Sequence, residues 1–201
     1  MKKILMLVSV LTMMATSAFA ENYDNGTIEL VAVTDSYAIS IKTPETGANE
    51  YGIAKDLGVV NGELKFFQNG SVHDYQLKAS KELIMPIGGG VDIEPIAETY
   101  AGAGLAYKWG DSLTDETVTA SPYIGVQKSI SALTPFVEAG FDWQSTSNDV
   151  LDFNRNNSYL EYGTTFTVSQ SMLLKASIVE DRSKSFDLED RELALGIVVS
   201  F

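Results

Sequence analysis

One histidine, one Asp-Ser pair and one run of alternating oxygen side chains are the residues whose types and spacing bear on chemistry. His73 is the single histidine, close to an Asn69-Gly70 pair that predicts a tight turn, and Asp111-Ser112 falls in a polar stretch further along. A serine nucleophile needs a base within hydrogen-bond reach. Nothing in the spacing joins these residues, and a serine beside an aspartate is ordinary turn chemistry. No catalytic residue is assigned, and the chain is expected not to be an enzyme.

Asp152, Asn154 and Asn156 open like a calcium loop. The pattern fails at its sixth position, where Asn157 replaces glycine, and at its twelfth, where Gly163 replaces glutamate. An Asx-rich loop accounts for the run, so no metal site is assigned. The absence of cysteine removes disulfides, thiol nucleophiles and thiolate metal sites together. No cofactor is expected.

A third set is larger. Glu94, Glu98, Lys108, Glu138, Asp142, Glu161, Lys175 and Glu192 all fall on the polar side of runs in which every second residue is apolar. Val91, Ile93, Pro95, Ala97, Thr99, Ala101, Ala103, Leu105, Tyr107 and Trp109 form one such apolar side, with Glu94, Glu98, Gly102, Gly104 and Lys108 opposite. The same period of two runs through residues 118–127, 135–144, 160–168 and 172–178. Such alternation predicts strands with one apolar face. Glycine plus charge on the other face suits a narrow polar interior better than a face turned to bulk water.

The first third is less regular. Val31, Val33, Tyr37, Ile39 and Ile41 share a face that Asp35 interrupts, which predicts a bulge or a strand end there. Tyr51, Ile53, Leu57 and Val59 predict a strand leading to a turn at Asn61-Gly62, and Leu64 and Phe66 a short strand rising to Asn69-Gly70. A further strand would run from His73 to a turn at residues 86–90. This segmentation yields ten strands, and folding residues 43–72 into one loop would leave eight.

Both ends speak of export. Residues 1–20 combine Lys2 and Lys3, an apolar stretch and Ala18-Phe19-Ala20, the pattern of a cleaved secretory signal. No later segment approaches the roughly 18 apolar residues of a spanning helix. Residues 21–201 are one domain by length. Losing two lysines takes the net charge from −13 to −15, which disfavours nucleic acid and anionic surfaces as partners. Leu193, Leu195, Ile197, Val199 and the terminal Phe201 make a last strand with one apolar face. Short connections at 86–90, 129–134 and 169–171 alternate with longer polar ones at 110–116, 145–158 and 180–190, as when short turns lie in the periplasm and long loops outside.

A Ser-Pro-Tyr-Ile-Gly-Val run at 121–126, answered by Thr-Pro-Phe-Val-Glu-Ala-Gly-Phe at 134–141 and followed by the terminal Phe201, resembles the small Gram-negative outer-membrane β-barrel (porin-like) family. The resemblance implies an all-β, closed, antiparallel up-and-down transmembrane barrel of ten strands, or eight, in the cell outer membrane. It implies a terminal signal at residues 193, 195, 197, 199 and 201 for the barrel-insertion machinery. Outer-membrane lipid and lipopolysaccharide would surround it, and small ions or solutes would be its cargo.

In that frame the eight charged residues line the lumen, joined near the rim by Arg191, and pair across it in a closed network. Any excess of carboxylates would favour cations. The expected function is a non-enzymatic, porin-like barrel, as a narrow cation-preferring pore. The alternative is a closed structural barrel presenting acidic loops for adhesion or receptor contact. A remote alternative is an outer-leaflet lipid-modifying enzyme, since lipid A palmitoyltransferases carry a His, Asp and Ser near that surface.

Overall fold

A computed structural model describes residues 25–45, 47–87, 97–113, 115–146, 154–183 and 187–201. The expected export signal and Glu94 lie outside them. The described residues form eleven strands and no helix: β1 Asn25–Val33, β2 Ala38–Pro44, β3 Asn49–Asp56, β4 Asn61–Asn69, β5 Val72–Ile87, β6 Ala97–Gly110, β7 Thr117–Gln127, β8 Leu133–Thr146, β9 Asn154–Ser169, β10 Met172–Arg182 and β11 Leu188–Ser200. Each strand pairs with its chain neighbour, and β1 pairs with β11 to close a barrel.

Eleven strands replace the expected ten because the run through Val31 and Ile41 is two strands. Thr34 makes the break. Its amide and hydroxyl both bond the carbonyl of Tyr37, at 2.8 and 3.1 Å, and the hydroxyl accepts from the Tyr37 amide at 3.2 Å. This hydroxyl-locked turn reverses the chain without glycine or proline. The odd count has a geometric consequence. β1 and β11 run the same way, with Ile28 beside Leu195 and Leu30 beside Ile197, so the closing seam is parallel while the other pairs are antiparallel.

Other boundaries also move. The turn expected at Asn61-Gly62 lies at residues 57–60, where Leu57 N–H bonds Val60 C=O at 3.0 Å and Asp56 Oδ1 accepts from the Gly58 amide at 2.7 Å. Gly58 has φ +81°, and Asn61 already pairs with Asp56 in the sheet. The turn at Asn69-Gly70 does form: Asn69 pairs with Val72 across Gly70, whose φ is +61°. Pro86 and Ile87, expected in a turn, still pair with Glu98 and Ala97 in β5 and β6. Residues 91–96 of the expected long strand lie outside the description. Strands reach further than expected elsewhere too, since β9 begins at Asn154 and β10 ends at Arg182.

The burial pattern is inverted relative to a water-soluble domain. Leu64, Leu77, Leu83, Leu105, Ile124, Val137 and Phe166 stand exposed on the outer face, while Thr27, Asp74, Thr117, Ser145, Ser158 and Ser177 are buried. Among the described residues the buried apolar side chains are Tyr100, Ala106 and Ile197.

Candidate functional site

The inner wall is organised by a short sequence device. β6 carries Tyr100-Ala-Gly102 and β7 carries Tyr123-Ile-Gly125; paired antiparallel, each tyrosine faces the other strand's glycine, Tyr100 opposite Gly125 and Tyr123 opposite Gly102. Gly140 of β8 and Tyr159 of β9 make a third such pair. In all three the ring lies over the glycine so closely that an added Cβ would meet it at 2.2 to 2.4 Å. The glycines are therefore recesses for the rings, and the rings hold the phenol groups against the wall.

Those phenols meet carboxylates. Tyr123 donates to Glu82 at 2.9 Å, and Tyr159 to Glu138 at 2.6 Å. Glu161 accepts from Ser177 at 2.6 Å and pairs with Lys175 at 2.6 Å, and Lys175 also lies 5.0 Å over the Phe136 ring. Gln127 donates to Glu98 at 2.9 Å. Toward the rim opposite Phe201, Lys108 stands 3.5 Å from Asp74 and 4.8 Å over the Phe67 ring.

Among the described residues these contacts run along the wall, where the sequence led to the expectation of a closed network across the lumen. Lys108–Asp74, Lys175–Glu161 and Tyr159–Glu138 join neighbouring strands, and Tyr123–Glu82 reaches only from β7 to β5. They run along the wall and leave space beside them. One cavity of about 530 Å³ is lined by Lys78, Glu82, Tyr123, Glu138, Asp142, Glu161 and Lys175 among others. A second, of about 430 Å³, shares Glu138, Tyr159, Glu161 and Lys175 with it and continues to Glu29, Lys42, Asp181 and Glu192.

Of the eight candidates, Glu138, Asp142, Glu161, Lys175 and Glu192 thus line cavities, Glu98 and Lys108 lie on the same inner face, and Glu94 lies outside the description. Glu29, Lys42, Lys78, Glu82 and Asp181 were not foreseen. Their signal was present: Lys78 and Glu82 alternate with Leu77 and Leu83, and Glu29 with Ile28 and Leu30. Arg191 does not join the inner set. It bonds Glu180 at 2.8 Å on the outer face, because β10 and β11 turn Asp181 and Glu192 inward and the residues beside them outward.

The remaining candidates fall near the rims. His73 Nδ1 is 3.7 Å from Asp111, while the Ser112 hydroxyl donates to Asp74. Serine and histidine are thus each directed at a different carboxylate. Together with Asp111 N–H on His73 C=O at 2.9 Å and Ser112 N–H on Asp74 at 3.0 Å, they stitch the β6–β7 loop onto β5. Of the calcium-like run, residues 152–153 lie outside the description, and Asn154 and Asn156 belong to β9. Among the described residues no three His, Cys, Asp or Glu converge as a metal set. In the terminal run, Leu193, Leu195, Ile197 and Val199 alternate outward, and Phe201 N–H bonds Val33 C=O at 3.0 Å across the seam.

On the outside, rings continue from strand to strand: Tyr51 to Phe66 at 6.0 Å, Phe66 to Tyr75 at 5.4 Å, Tyr75 to Trp109 at 5.7 Å and Trp109 to Tyr107 at 5.4 Å. This belt crosses β3 to β6 on the half of the barrel away from Phe201. No family model, no curated protein and no solved structure matches the chain.

Proposed function

We propose that the chain is a Gram-negative outer-membrane protein, exported by a cleaved signal at residues 1–20, whose barrel spans the membrane as a narrow, cation-preferring pore. The exposed apolar outer face supports the membrane, since a continuous apolar surface of this kind needs a non-aqueous partner. The aromatic belt supports an interfacial level, because amphipathic rings gather where headgroups meet hydrocarbon. In this frame Phe201 marks the periplasmic rim, and the run at 193, 195, 197, 199 and 201 is the segment read by the barrel-insertion machinery.

The observation that carries pore selectivity is the charge of the two cavities. Glu29, Glu82, Glu138, Asp142, Glu161, Asp181 and Glu192 stand against Lys42, Lys78 and Lys175, seven carboxylates to three ammonium groups. A water-filled lumen with that excess attracts cations and repels anions. The barrel carries no catalytic role in this reading.

The test is conductance of the refolded protein in a planar bilayer under a salt gradient. Steady openings with a cation-selective reversal potential are expected, with selectivity reduced in E138Q/D142N. A silent bilayer from protein independently shown to be folded and inserted overturns the pore. It leaves a closed barrel that presents its loops to a surface partner.

A further inference from the structure

Thr27 is 1% exposed, and its hydroxyl has no hydrogen-bond partner among the described residues. It lies on the inner face of β1, opposite Ala194 of β11 and Pro44 of β2, neither of which offers a polar side chain. The hydroxyl is left with the cavity of about 430 Å³ that Thr27 helps to line. A buried hydroxyl left unpaired is costly, and a ligand in the cavity would complete it.

Five carboxylates and two lysines line the same cavity. Lys175 is taken by Glu161 at 2.6 Å, Lys42 stands opposite Glu29, and Glu138 receives the Tyr159 phenol at 2.6 Å. Asp181 and Glu192 remain, with no ion pair among the described residues. The charges that act most on Asp181 are those of Asp190, Glu192, Asp142 and Glu189, all negative. Arg182 and Arg191 of the same two strands stand on the outer face at Glu180.

These groups are strung out in a line. Thr27 pairs with Ala194, so Glu192 on β11 is its diagonal neighbour. Glu192 pairs with Val179, so Asp181 is the next diagonal neighbour on β10. Glu29 continues the line the other way along β1. Each diagonal step is about 7–8 Å. A hard metal cation needs several oxygens around one point, and among the described residues no three His, Cys, Asp or Glu converge in that way. A flexible chain of cationic centres meets such a line group by group.

We propose that this cavity binds a linear aliphatic oligoamine, one ammonium held by the Thr27 hydroxyl and Glu192 and the next by Asp181. The inference rests on the reading above that the lumen is open to water. A primary ammonium carries three N–H donors and no acceptor, so the hydroxyl and the carboxylates can each accept one. A quaternary ammonium of equal charge has no donor to give Thr27.

The experiment measures spermine binding by titration calorimetry on the full mature chain refolded in neutral detergent micelles. The variants are T27V, D181N/E192Q, and D35N/E116Q, which removes two carboxylates outside the cavity. Wild type and D35N/E116Q are expected to bind alike, T27V about tenfold more weakly and D181N/E192Q more weakly still. T27V removes an unpaired hydroxyl, so its urea midpoint without amine should not fall, which separates a lost ligand from a lost fold. No spermine binding, equal binding by T27V, or equal binding of the fully N-methylated tetraamine overturns the site. Displacement of spermine by magnesium at matched charge also overturns it and leaves a diffuse anionic lumen. A silent bilayer with Thr27-dependent spermine binding brings down the pore and keeps the site, whereas cation-selective openings without spermine binding bring down the site alone.

Discussion

β6 to β9 and β1 to β4 occupy different parts of the same closed wall, yet they are held by different means. The first group, with strands of 14, 11, 14 and 16 residues, carries the three tyrosine-on-glycine pairs, and every ring ends near a carboxylate. The second group, with strands of 9, 7, 8 and 9 residues, has no such pair among its described residues. Its register comes from turns: the Thr34 hydroxyl, the Asp56 carboxylate on Gly58, and Gly70. It also ends in the parallel seam, and parallel pairing is slightly weaker per residue. One region is specified by side-chain fit across strands, the other by how the chain reverses.

The seam offers the largest effect. Ile28 and Leu195 are directly opposite on the outer face, whereas Thr43, on β2, is separated from Leu195 by β1. In this cysteine-free chain, I28C/L195C is expected to form a disulfide on oxidation and to stabilise the barrel by up to about 5 kcal/mol, because the closed loop is long. T43C/L195C should stay reduced, since two strand spacings exceed the reach of a disulfide. Non-reducing electrophoresis of the vesicle-folded protein reads both. Cross-linking of the second pair and not the first would mean a ten-stranded, wholly antiparallel barrel with β1 outside the wall.

Next comes the side-chain fit. Gly125→Ala sets a Cβ 2.2 Å from the ring of Tyr100, which is 7% exposed and has little room to move. A loss of about 1–3 kcal/mol is expected in urea titrations of the vesicle-folded protein. In the Tyr100→Ala background the same substitution should cost much less, and an additive double mutant would mean that ring and glycine do not meet.

The same contrast explains what was legible in the sequence. Alternation along residues 118–127, 135–144, 160–168 and 172–178 was enough to give strands and their inner and outer faces, because long two-faced strands repeat one period many times. The Tyr-x-Gly spacing at 100–102 and 123–125 is also visible in the sequence. Its meaning needed the register that sets one copy against the other. The strand end near Asp35 was legible, but the facing was not: across the turn Leu30 pairs with Ile41 and Val31 with Ser40, so Val31 and Val33 do not share the outer face of Ile39 and Ile41 as their spacing suggests. Asn61-Gly62 misled for another reason: a dipeptide suited to turns sits inside β4, one step beyond the turn that Asp56 and Gly58 make. A parallel seam leaves no local trace, since an alternating strand can pair in either direction. Lys78 and Glu82 follow the same period, since they alternate with Leu77 and Leu83 and so fall on the inner face of β5.

Among the turns, Gly58→Ala tests the region held by chain reversal. Nothing lies within 4 Å of the added methyl, so the cost comes from φ +81° alone. About 1 kcal/mol is expected, with no relief from any side-chain truncation nearby. A cost below a few tenths would mean that the turn relaxes and does not set the register of β3 and β4.

The smallest effect sharpens the comparison most. Gly52→Ala also creates a close approach, 2.3 Å to the Ser40 hydroxyl, so by distance alone it equals the tyrosine pairs. The obstacle differs in kind. A serine hydroxyl can turn to another staggered rotamer, and the Ser40 Cβ is 3.7 Å away, an ordinary contact. The expected loss is therefore about 0.5 kcal/mol or less, several-fold below that of Gly125→Ala in the same titration. If the two glycines cost the same, backbone crowding would govern both regions, and the tyrosine rings would be passengers on the wall. If Gly52 is as tolerant as its neighbour's freedom implies, the three rings are what set the inner surface of β6 to β9.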